Sequence, residues 1–211
     1  MKVVIITFTR DRLPYTKFCF KRLAQKAGYQ YRHIVVDNGS TDGTDKWLVD
    51  EGYEVIYNRK NRGISKAFKQ AVSKIDDCDL LIKFDNDCEV ESKDIISKIV
   101  KFYRQNGMKY YISPKVYGLN NKMTPKKVER KGDFYLGELS MIGGIFAVMP
   151  FKYVKEYLKL DGAGTDAVAS TYFASKGCQI GYIMDLSVNH YLTTNGQIED
   201  LGDNYHKDYK Y

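Results

Sequence analysis

The chain has 211 residues, 44% of them hydrophobic, which is long enough to bury a core that needs no disulfide bonds, and its four cysteines are scattered without a C-x-x-C pair. No run approaches the roughly 18 apolar residues of a membrane span, and residues 1–10 become charged too early for a signal peptide, so we expect neither feature. The formal net charge of +7 favours anionic partners such as nucleotide phosphates, acidic lipid surfaces or nucleic acid.

The first half of the chain alternates predicted strands and helices. Apolar and β-branched runs predict strands over residues 2–8, 31–37, 53–57 and 80–84. Helical spacing and end signals predict the helices that follow, over residues 14–28, 44–51, 64–75 and 92–107. Ser92 is the expected cap of the last helix. Repeated strand-helix units form a parallel sheet covered on both faces, so we predict an α/β fold with a mostly parallel, twisted sheet.

The second half is less regular. We predict strands over residues 110–117, 145–150 and 179–184, and helices over residues 151–160 and 165–177. Residues 120–131 are basic and read as an exposed loop, and residues 133–140 read as irregular. The whole chain is expected to form one domain, with halves at 1–107 and 108–192. Residues 193–211 are compatible with a tail, a lid or a link to a further domain.

An acidic cluster, Asp85-Asn86-Asp87, follows the predicted strand 80–84. Residues i and i+2 of an extended segment point the same way, so Asp85 and Asp87 can aim at one point. Two carboxylates suit Mg²⁺ or Mn²⁺, which typically bridges carboxylates and nucleotide phosphates; a polar turn is the alternative. Polar residues also end two other strands, and ligands of parallel α/β sheets bind at that edge, which favours a binding site.

Five segments together resemble the GT-A glycosyltransferases of the inverting family 2. They are residues 35–44 (VVDNGSTDGT), 58–71 (NRKNRGISKAFKQA), 85–87 (DND), 143–150 (GGIFAVMP) and 164–190, which ends in VNH. The resemblance covers nearly the whole chain and implies the GT-A fold. It also implies transfer of a sugar from a nucleotide-diphosphate sugar, with UDP as the expected nucleotide, to a glycan or other hydroxyl acceptor. The Q-x-x-R-W motif of processive synthases is absent, so we expect transfer of one sugar.

The resemblance also implies which residues bind the donor. These are Thr7, Phe8, Arg10, Asp37, Arg62, Lys66, Asp85, Asn86 and Gly144. Phe8 can pack on the base, and the Asp37 carboxylate can accept the uracil N–H, although a turn-stabilising role for Asp37 is equally compatible with the sequence. Arg62 and Lys66 can offset phosphate charge, or else are ordinary surface cations. Gly144 allows the backbone to approach the sugar closely.

For the chemistry, the resemblance implies Mn²⁺ or Mg²⁺ held by Asp85, Asp87 and His190, and Asp166 as the general base. The alternative for Asp166 is a first-turn aspartate favoured by the helix dipole. The family often has Glu-Asp at this position, where this chain has a threonine before the aspartate. Asp161 therefore remains a second candidate for the base.

Two other functions remain open. Residues 9–17 have a faint similarity to sugar-phosphate nucleotidyltransferases, but no glycine precedes Gly28 to form a phosphate-binding loop. A non-catalytic module that binds nucleotide sugars or nucleic acid is the other alternative, although scattered lysines without an aromatic-basic strand pattern argue against nucleic acid. Small enzymes similar to this chain serve bacterial or large-DNA-virus glycan assembly, so the expected location is the cytoplasm of a bacterium or of a virus-infected cell.

Overall fold

The computed structural model describes residues 1–119 and 123–191; the predicted tail 193–211 lies outside them. In the first half the strands are β1 (Val3–Thr9), β2 (Arg32–Asp37), β3 (Glu54–Tyr57), β4 (Leu80–Phe84) and β5 (Cys88–Val90). The helices are α1 (Leu13–Lys26), α2 (Thr44–Asp50), α3 (Ile64–Val72) and α4 (Ile95–Asn106). Every element predicted for this half is confirmed, and only the three-residue β5 is additional.

The second half contains the remaining strands and helices. The strands are β6 (Tyr110–Tyr117), β7 (Lys127–Lys131), β8 (Phe134–Glu138), β9 (Phe146–Pro150) and β10 (Gln179–His190). The helices are α5 (Phe151–Tyr157) and α6 (Asp166–Ser175). No helix in the described part of the chain has both the length and the apolar character needed to cross a membrane.

Three predictions for the second half were wrong in detail. Residues 127–131 and 134–138 are paired strands, not a loop and an irregular segment, because Phe134 and Leu136 turn into the core while Tyr135 faces outward. The charged β7 escaped detection because it is an edge strand, where charged side chains discourage pairing with other chains. β10 continues past residue 184 because an irregularity between Ile183 and Ser187 restores its pairing with β6.

Ser92 was also assigned wrongly as the cap of α4. The helix begins after Asp94, which has a φ of 57° and gives no side-chain capping bond. The Ser92 hydroxyl instead accepts a hydrogen bond from the backbone N–H of Ser187, 2.8 Å away. This contact joins the two halves of the chain beside the pairing of β5 with β10.

The strands form one sheet in the order β3-β2-β1-β4-β9-β6-β10-β8-β7, with β5 also paired to β10. The parallel arrangement predicted for the first half is confirmed for β3-β2-β1-β4. β9 then runs antiparallel to both β4 and β6. The sheet is therefore mixed: among the described residues, four strand pairings are parallel and five antiparallel.

Helices cover both faces of the parallel part of the sheet, as predicted. Successive side chains of β1 point to opposite faces. The Phe8 ring packs on Phe68 of α3 with centroids 5.5 Å apart, which places α3 on one face. On the other face, Thr7 bonds to His33, and the His33 ring packs on Phe20 of α1 at 4.7 Å. Helices α1 and α3 therefore lie on opposite faces of the sheet.

Candidate functional site

Side-chain and backbone bonds join the carboxyl ends of the first three strands. The Asn38 N–H donates to the Thr9 carbonyl at 2.8 Å, and the Asn58 N–H donates to the Asp37 carbonyl, also at 2.8 Å. The Asn58 side chain, which is itself buried, donates to the Asn38 side chain at 2.9 Å. These amides satisfy the backbone groups that the ending strands would otherwise leave unpaired. These bonds hold the carboxyl ends of β1, β2 and β3 together at this edge of the sheet.

Asp37 stabilises the turn that follows β2. One of its carboxylate oxygens accepts the backbone N–H groups of Gly39, at 3.2 Å, and Ser40, at 3.0 Å. The other accepts the Ser40 hydroxyl. The side chain is buried, at 2% exposure. The turn-stabilising role, one of the two that the sequence left open, is therefore observed, and the contact with a uracil ring stays a prediction.

A cavity of about 340 Å³ lies at the carboxyl end of β4. Its walls are formed by Phe8, Arg12, Ile64, Lys83, Asp85, Asn86, Asp87, Ile145 and His190. The structure thus brings together the predicted acidic cluster, the predicted histidine and the predicted aromatic residue. It adds two basic residues, Arg12 and Lys83, that the sequence analysis did not name.

Asp87 is the most enclosed carboxylate of the cavity, with a side chain only 4% exposed. Its Oδ2 atom lies 2.8 Å from Arg12 Nη1, and its Oδ1 atom lies 3.4 Å from His190 Nε2. His190 reaches this position because it is paired with Cys88 at the end of β10. Burial by itself raises the pKa of Asp87, but His190 and Arg12 together outweigh that effect and hold the pKa below its ordinary value.

Asp85 sits on the cavity wall beside a buried lysine. Lys83 and Asp85 are two residues apart along an extended segment and point the same way, and Lys83 Nζ lies 2.5 Å from Asp85 Oδ1. The same ammonium donates to the Gly144 carbonyl at 2.6 Å. Desolvation raises the pKa of Asp85 above its ordinary value, and the nearby Lys83 charge only partly opposes this rise. Asn86, between the two aspartates, turns aside and donates to the Thr16 hydroxyl at 2.9 Å.

Arg12 is aimed at Asp87 by an unusual loop between β1 and α1. Asp11 and Arg12 both have positive φ angles, 57° and 66°, in the left-handed region that costs a non-glycine residue roughly 1 to 3 kcal/mol. Bonds to the next loop hold them there: the Asp11 carboxylate accepts the Thr41 N–H at 2.7 Å, and the Leu13 N–H donates to Asp42 at 2.8 Å. Strained backbone of this kind concentrates at functional sites.

Asp166 reaches the same region from the second half of the chain. It is the first residue of α6 and is exposed, and its Oδ1 atom accepts the Gly144 N–H at 2.8 Å. A Cβ atom on Gly144 would lie 3.0 Å from that oxygen and 3.3 Å from Lys83 Nζ. A side chain at position 144 would therefore displace the ends of Asp166 and Lys83 by a few tenths of an ångström, whether or not a sugar also approaches it.

The other predicted residues are less directly placed. Thr7 is fully buried, and its hydroxyl bonds to His33 at 2.9 Å. The remaining four are exposed and do not line the cavity: Arg10, Arg62, Lys66 and Asp161. The contacts of these five residues with a donor or acceptor stay predictions. No clear signal in the sequence indicated Arg12. A usable signal existed for Lys83, because a lysine inside the apolar strand LLIKF is a buried ammonium that must have a partner.

We asked whether the residues of the cavity fit a divalent cation. Within residues 1–119 and 123–191, no three histidine, cysteine or acidic side chains lie close enough to form a metal-binding group. The chemistry nevertheless fits, because Asp85, Asp87 and His190 line one cavity and offer the oxygen and imidazole ligands that Mn²⁺ accepts. A cation there must compete with Lys83 for Asp85 and with Arg12 for Asp87.

Two solved structures with bound nucleotide sugars have a similar fold. A mannosyltransferase from Pyrobaculum calidifontis, in complex with GDP-Man and Mn²⁺, is 16% identical with a TM-score of 0.68, over 92% of this chain and 58% of that one. TarS 1–349 from S. aureus, in complex with UDP-GlcNAc, is 17% identical with a TM-score of 0.67, over 93% and 60%. This chain thus spans about three fifths of each, and the predicted GT-A fold is confirmed.

The fold also occurs in a nucleotidyl transferase from Methanothermobacter thermautotroptrophicus, at 10% identity and a TM-score of 0.60 over 90% of this chain and 88% of that one. No curated protein matches the chain. Fold alone therefore does not separate sugar transfer from nucleotidyl transfer. The sequence does, because residues 2–158 match the model of Glycosyl transferase family 2. On that match, which covers most of its length, the chain belongs to glycosyltransferase family 2.

Proposed function

We propose that the protein transfers one sugar, with inversion, from a nucleotide-diphosphate sugar to a hydroxyl acceptor. The observation that carries the proposal is the cavity at the end of β4, which brings two carboxylates, a histidine and two basic side chains together in a family 2 chain. The donor would lie over residues 1–107, and residues 108–192 would form most of the acceptor side. A UDP-linked donor is our choice.

The donor's nucleotide would extend from the cavity towards the ends of β1 and β2. Phe8 offers an apolar wall for the base, because its ring packs on Phe68 and faces the cavity. Asp37 holds the adjacent turn through the backbone N–H groups of Gly39 and Ser40. Arg12, fixed beside Asp87, adds a planar cation suited to phosphate oxygens. Arg62 and Lys66 are exposed cations that can attract the diphosphate as it arrives.

Asp85, Asp87 and His190 are the residues we assign to a divalent cation. When bound, Mn²⁺ or Mg²⁺ would neutralise charge on the departing diphosphate. The pairing of Asp87 with Arg12 and His190 keeps its carboxylate ionised, which a metal ligand needs. The two aspartates lie in a turn and not in extended chain, because the Cys88 N–H donates to the Asp85 carbonyl at 3.2 Å, and the buried Asn86 between them is held by Thr16.

Asp166 is the residue we assign to the general base. Inversion requires the acceptor oxygen to attack the anomeric carbon as the bond to the diphosphate breaks, while the acceptor proton goes to a base. The Gly144 N–H holds Asp166 Oδ1, and Oδ2 is the oxygen we assign to the proton.

A screen of UDP- and GDP-sugars tests the proposal. Thermal unfolding is followed with each sugar nucleotide in the presence of Mn²⁺, and again with EDTA. We expect at least one nucleotide sugar to raise the midpoint, more strongly with Mn²⁺, because binding to the native state alone stabilises it. A protein that no nucleotide sugar stabilises, but that releases pyrophosphate from UTP and a sugar-1-phosphate, would instead be a nucleotidyltransferase.

A further inference from the structure

Lys83 is a charged residue in β4, a strand whose residues are all buried. It is 7% exposed, and its strand lies between β1 and β9, where Lys83 pairs with Ile6 and Ala147. Removing an ammonium from water is costly unless it is paired and hydrogen-bonded. A lysine that served only the stability of the sheet could be replaced by an apolar residue without that cost. Its presence at this position therefore requires another explanation.

The contacts of Lys83 form one continuous series across the cavity. Asp85 Oδ1 lies 2.5 Å from Lys83 Nζ, which donates to the Gly144 carbonyl at 2.6 Å. The Gly144 N–H donates to Asp166 Oδ1 at 2.8 Å. The backbone of Gly144 therefore connects Lys83, beside the acidic cluster, to Asp166 on α6. The series links the first carboxylate of the acidic cluster to the candidate base on α6.

We propose that Lys83 is a positioning residue that sets the place of Asp166 relative to Asp85 by fixing the Gly144 turn. The inference rests on the proposed function, because it concerns the distance between the donor's leaving group and the base. A loose turn would let Asp166, which is exposed at the start of its helix, lie at varying distances from the acceptor hydroxyl. Misplacement of about 1 Å can cost about 100-fold in rate.

The same geometry gives Lys83 a second, opposing effect on the cation. Lys83 holds one oxygen of Asp85 and adds a positive charge to the cavity wall. Both effects disfavour a divalent cation at Asp85. Removing the ammonium should therefore tighten cation binding while it slows transfer. A residue with a merely structural role, or one that binds the diphosphate directly, would lower both quantities together.

The test compares Lys83→Met and Lys83→Gln with Lys69→Met, a control in which the lysine is exposed on α3. For Lys83→Met we expect Mn²⁺ affinity in the presence of UDP to rise about fivefold, since a nearby like charge is removed. We expect kcat for transfer to fall about 100-fold with little change in the donor KM. Lys83→Gln, which can still donate to the Gly144 carbonyl, should recover part of the rate. Lys69→Met should behave as wild type.

Hydrogen exchange gives a readout that does not depend on activity. In the metal-free protein, we expect the Gly144 amide to exchange faster in Lys83→Met than in the control, because its turn has lost an anchor. Unchanged exchange and unchanged kcat would overturn the inference, and so would a parallel loss of Mn²⁺ affinity and kcat. If the wild-type protein binds no nucleotide sugar, the proposed function fails, while the exchange result still decides whether Lys83 fixes the turn.

Gly144→Ala supplies a second route if Lys83→Met fails to fold. The added methyl would sit 3.0 Å from Asp166 Oδ1 and 3.3 Å from Lys83 Nζ, so it loosens the series without removing a charge. We expect kcat to fall while affinity for Mn²⁺ and UDP stays within about threefold of wild type. A Gly144→Ala protein with the kcat of wild type would contradict the positioning role.

Discussion

The two sides of the proposed site are built differently. On the donor side, Asp87 is 4% exposed and contacts both Arg12 and His190, and the loop that carries Arg12 is bonded to its neighbour. On the acceptor side, Asp166 is exposed and its carboxylate accepts the Gly144 N–H. A buried, paired group resists movement, while an exposed group needs an external anchor to be held in place. The comparison suggests that binding is set by the donor side and reaction geometry by the acceptor side.

Replacing Asp166 should break this comparison most strongly. Asp166→Asn removes the proposed base but keeps an oxygen that can accept the Gly144 N–H. We expect kcat to fall about 1000-fold, within the usual range for general base catalysis. Affinity for UDP with Mn²⁺, measured by calorimetry, should stay within about threefold of wild type, because the donor side is intact.

The control for that experiment is Asp161→Asn, which alters the second candidate base in the exposed turn before α6. We expect this variant to keep nearly the full rate. Rapid transfer by Asp166→Asn together with slow transfer by Asp161→Asn would exchange the two assignments.

Replacing Asp87 should give the opposite pattern. Asp87→Asn removes a proposed metal ligand and the carboxylate that Arg12 Nη1 contacts at 2.8 Å. We expect affinity for UDP with Mn²⁺ to fall about 100-fold. Calorimetry measures the affinity, and a thermal scan of the same samples checks that the variant is folded. An affinity equal to that of wild type would remove Asp87 from the site.

Arg12→Met tests how much the donor side contributes to stability. The guanidinium is 12% exposed and paired with a carboxylate that is 4% exposed, so its loss leaves that buried charge with the longer His190 contact in place of an ion pair. We expect the free energy of unfolding to fall by about 2 to 4 kcal/mol. Urea unfolding of the variant measures the change. Lys66→Met, which alters an exposed cation of α3, is the matched control and should change stability by less than about 0.5 kcal/mol.

The smallest expected effect is a dependence of the free energy of unfolding on pH, caused by His33, which contacts β1 and α1. Burial lowers the pKa of His33 from 6.5 to about 3 in the folded protein. The unfolded chain therefore binds the proton more readily, and stability is lost as the pH falls from 7 towards 5. In His33→Gln, we expect this loss to be smaller by about 1 kcal/mol. Urea unfolding at both pH values checks it, and an unchanged difference would contradict the assignment.

Residues 1–107 were predicted from the sequence far better than residues 108–191, for physical reasons. β1 and β4 are buried along almost their whole length and read as nearly unbroken apolar runs, and α3 shows clear helical spacing. The β7–β8 pair was missed because an edge strand with lysines and glutamates reads as a solvated loop. The extension of β10 was missed because the chain continues through a polar irregularity that only its pairing with β6 explains.

The aspartates of the candidate site were predicted from the sequence, but its basic residues Arg12 and Lys83 were not. Asp85, Asp87 and His190 follow a motif, so their convergence on one cavity could be expected from the sequence. Arg12 reaches Asp87 only because two consecutive residues adopt positive φ angles, which neither spacing nor propensity indicates. The contact between Lys83 and Gly144 joins residues that are 61 positions apart, and it depends on the antiparallel pairing of β4 with β9.

The central claim is that the cavity at the end of β4 holds a divalent cation against a nucleotide diphosphate. Anomalous diffraction from a crystal grown with Mn²⁺ and UDP tests it most directly. The account predicts a manganese peak within coordinating distance of Asp85, Asp87 and His190, about 2.1 to 2.3 Å from their ligand atoms, with UDP phosphate oxygens on its other side. A peak elsewhere, or UDP bound away from this cavity, would contradict it.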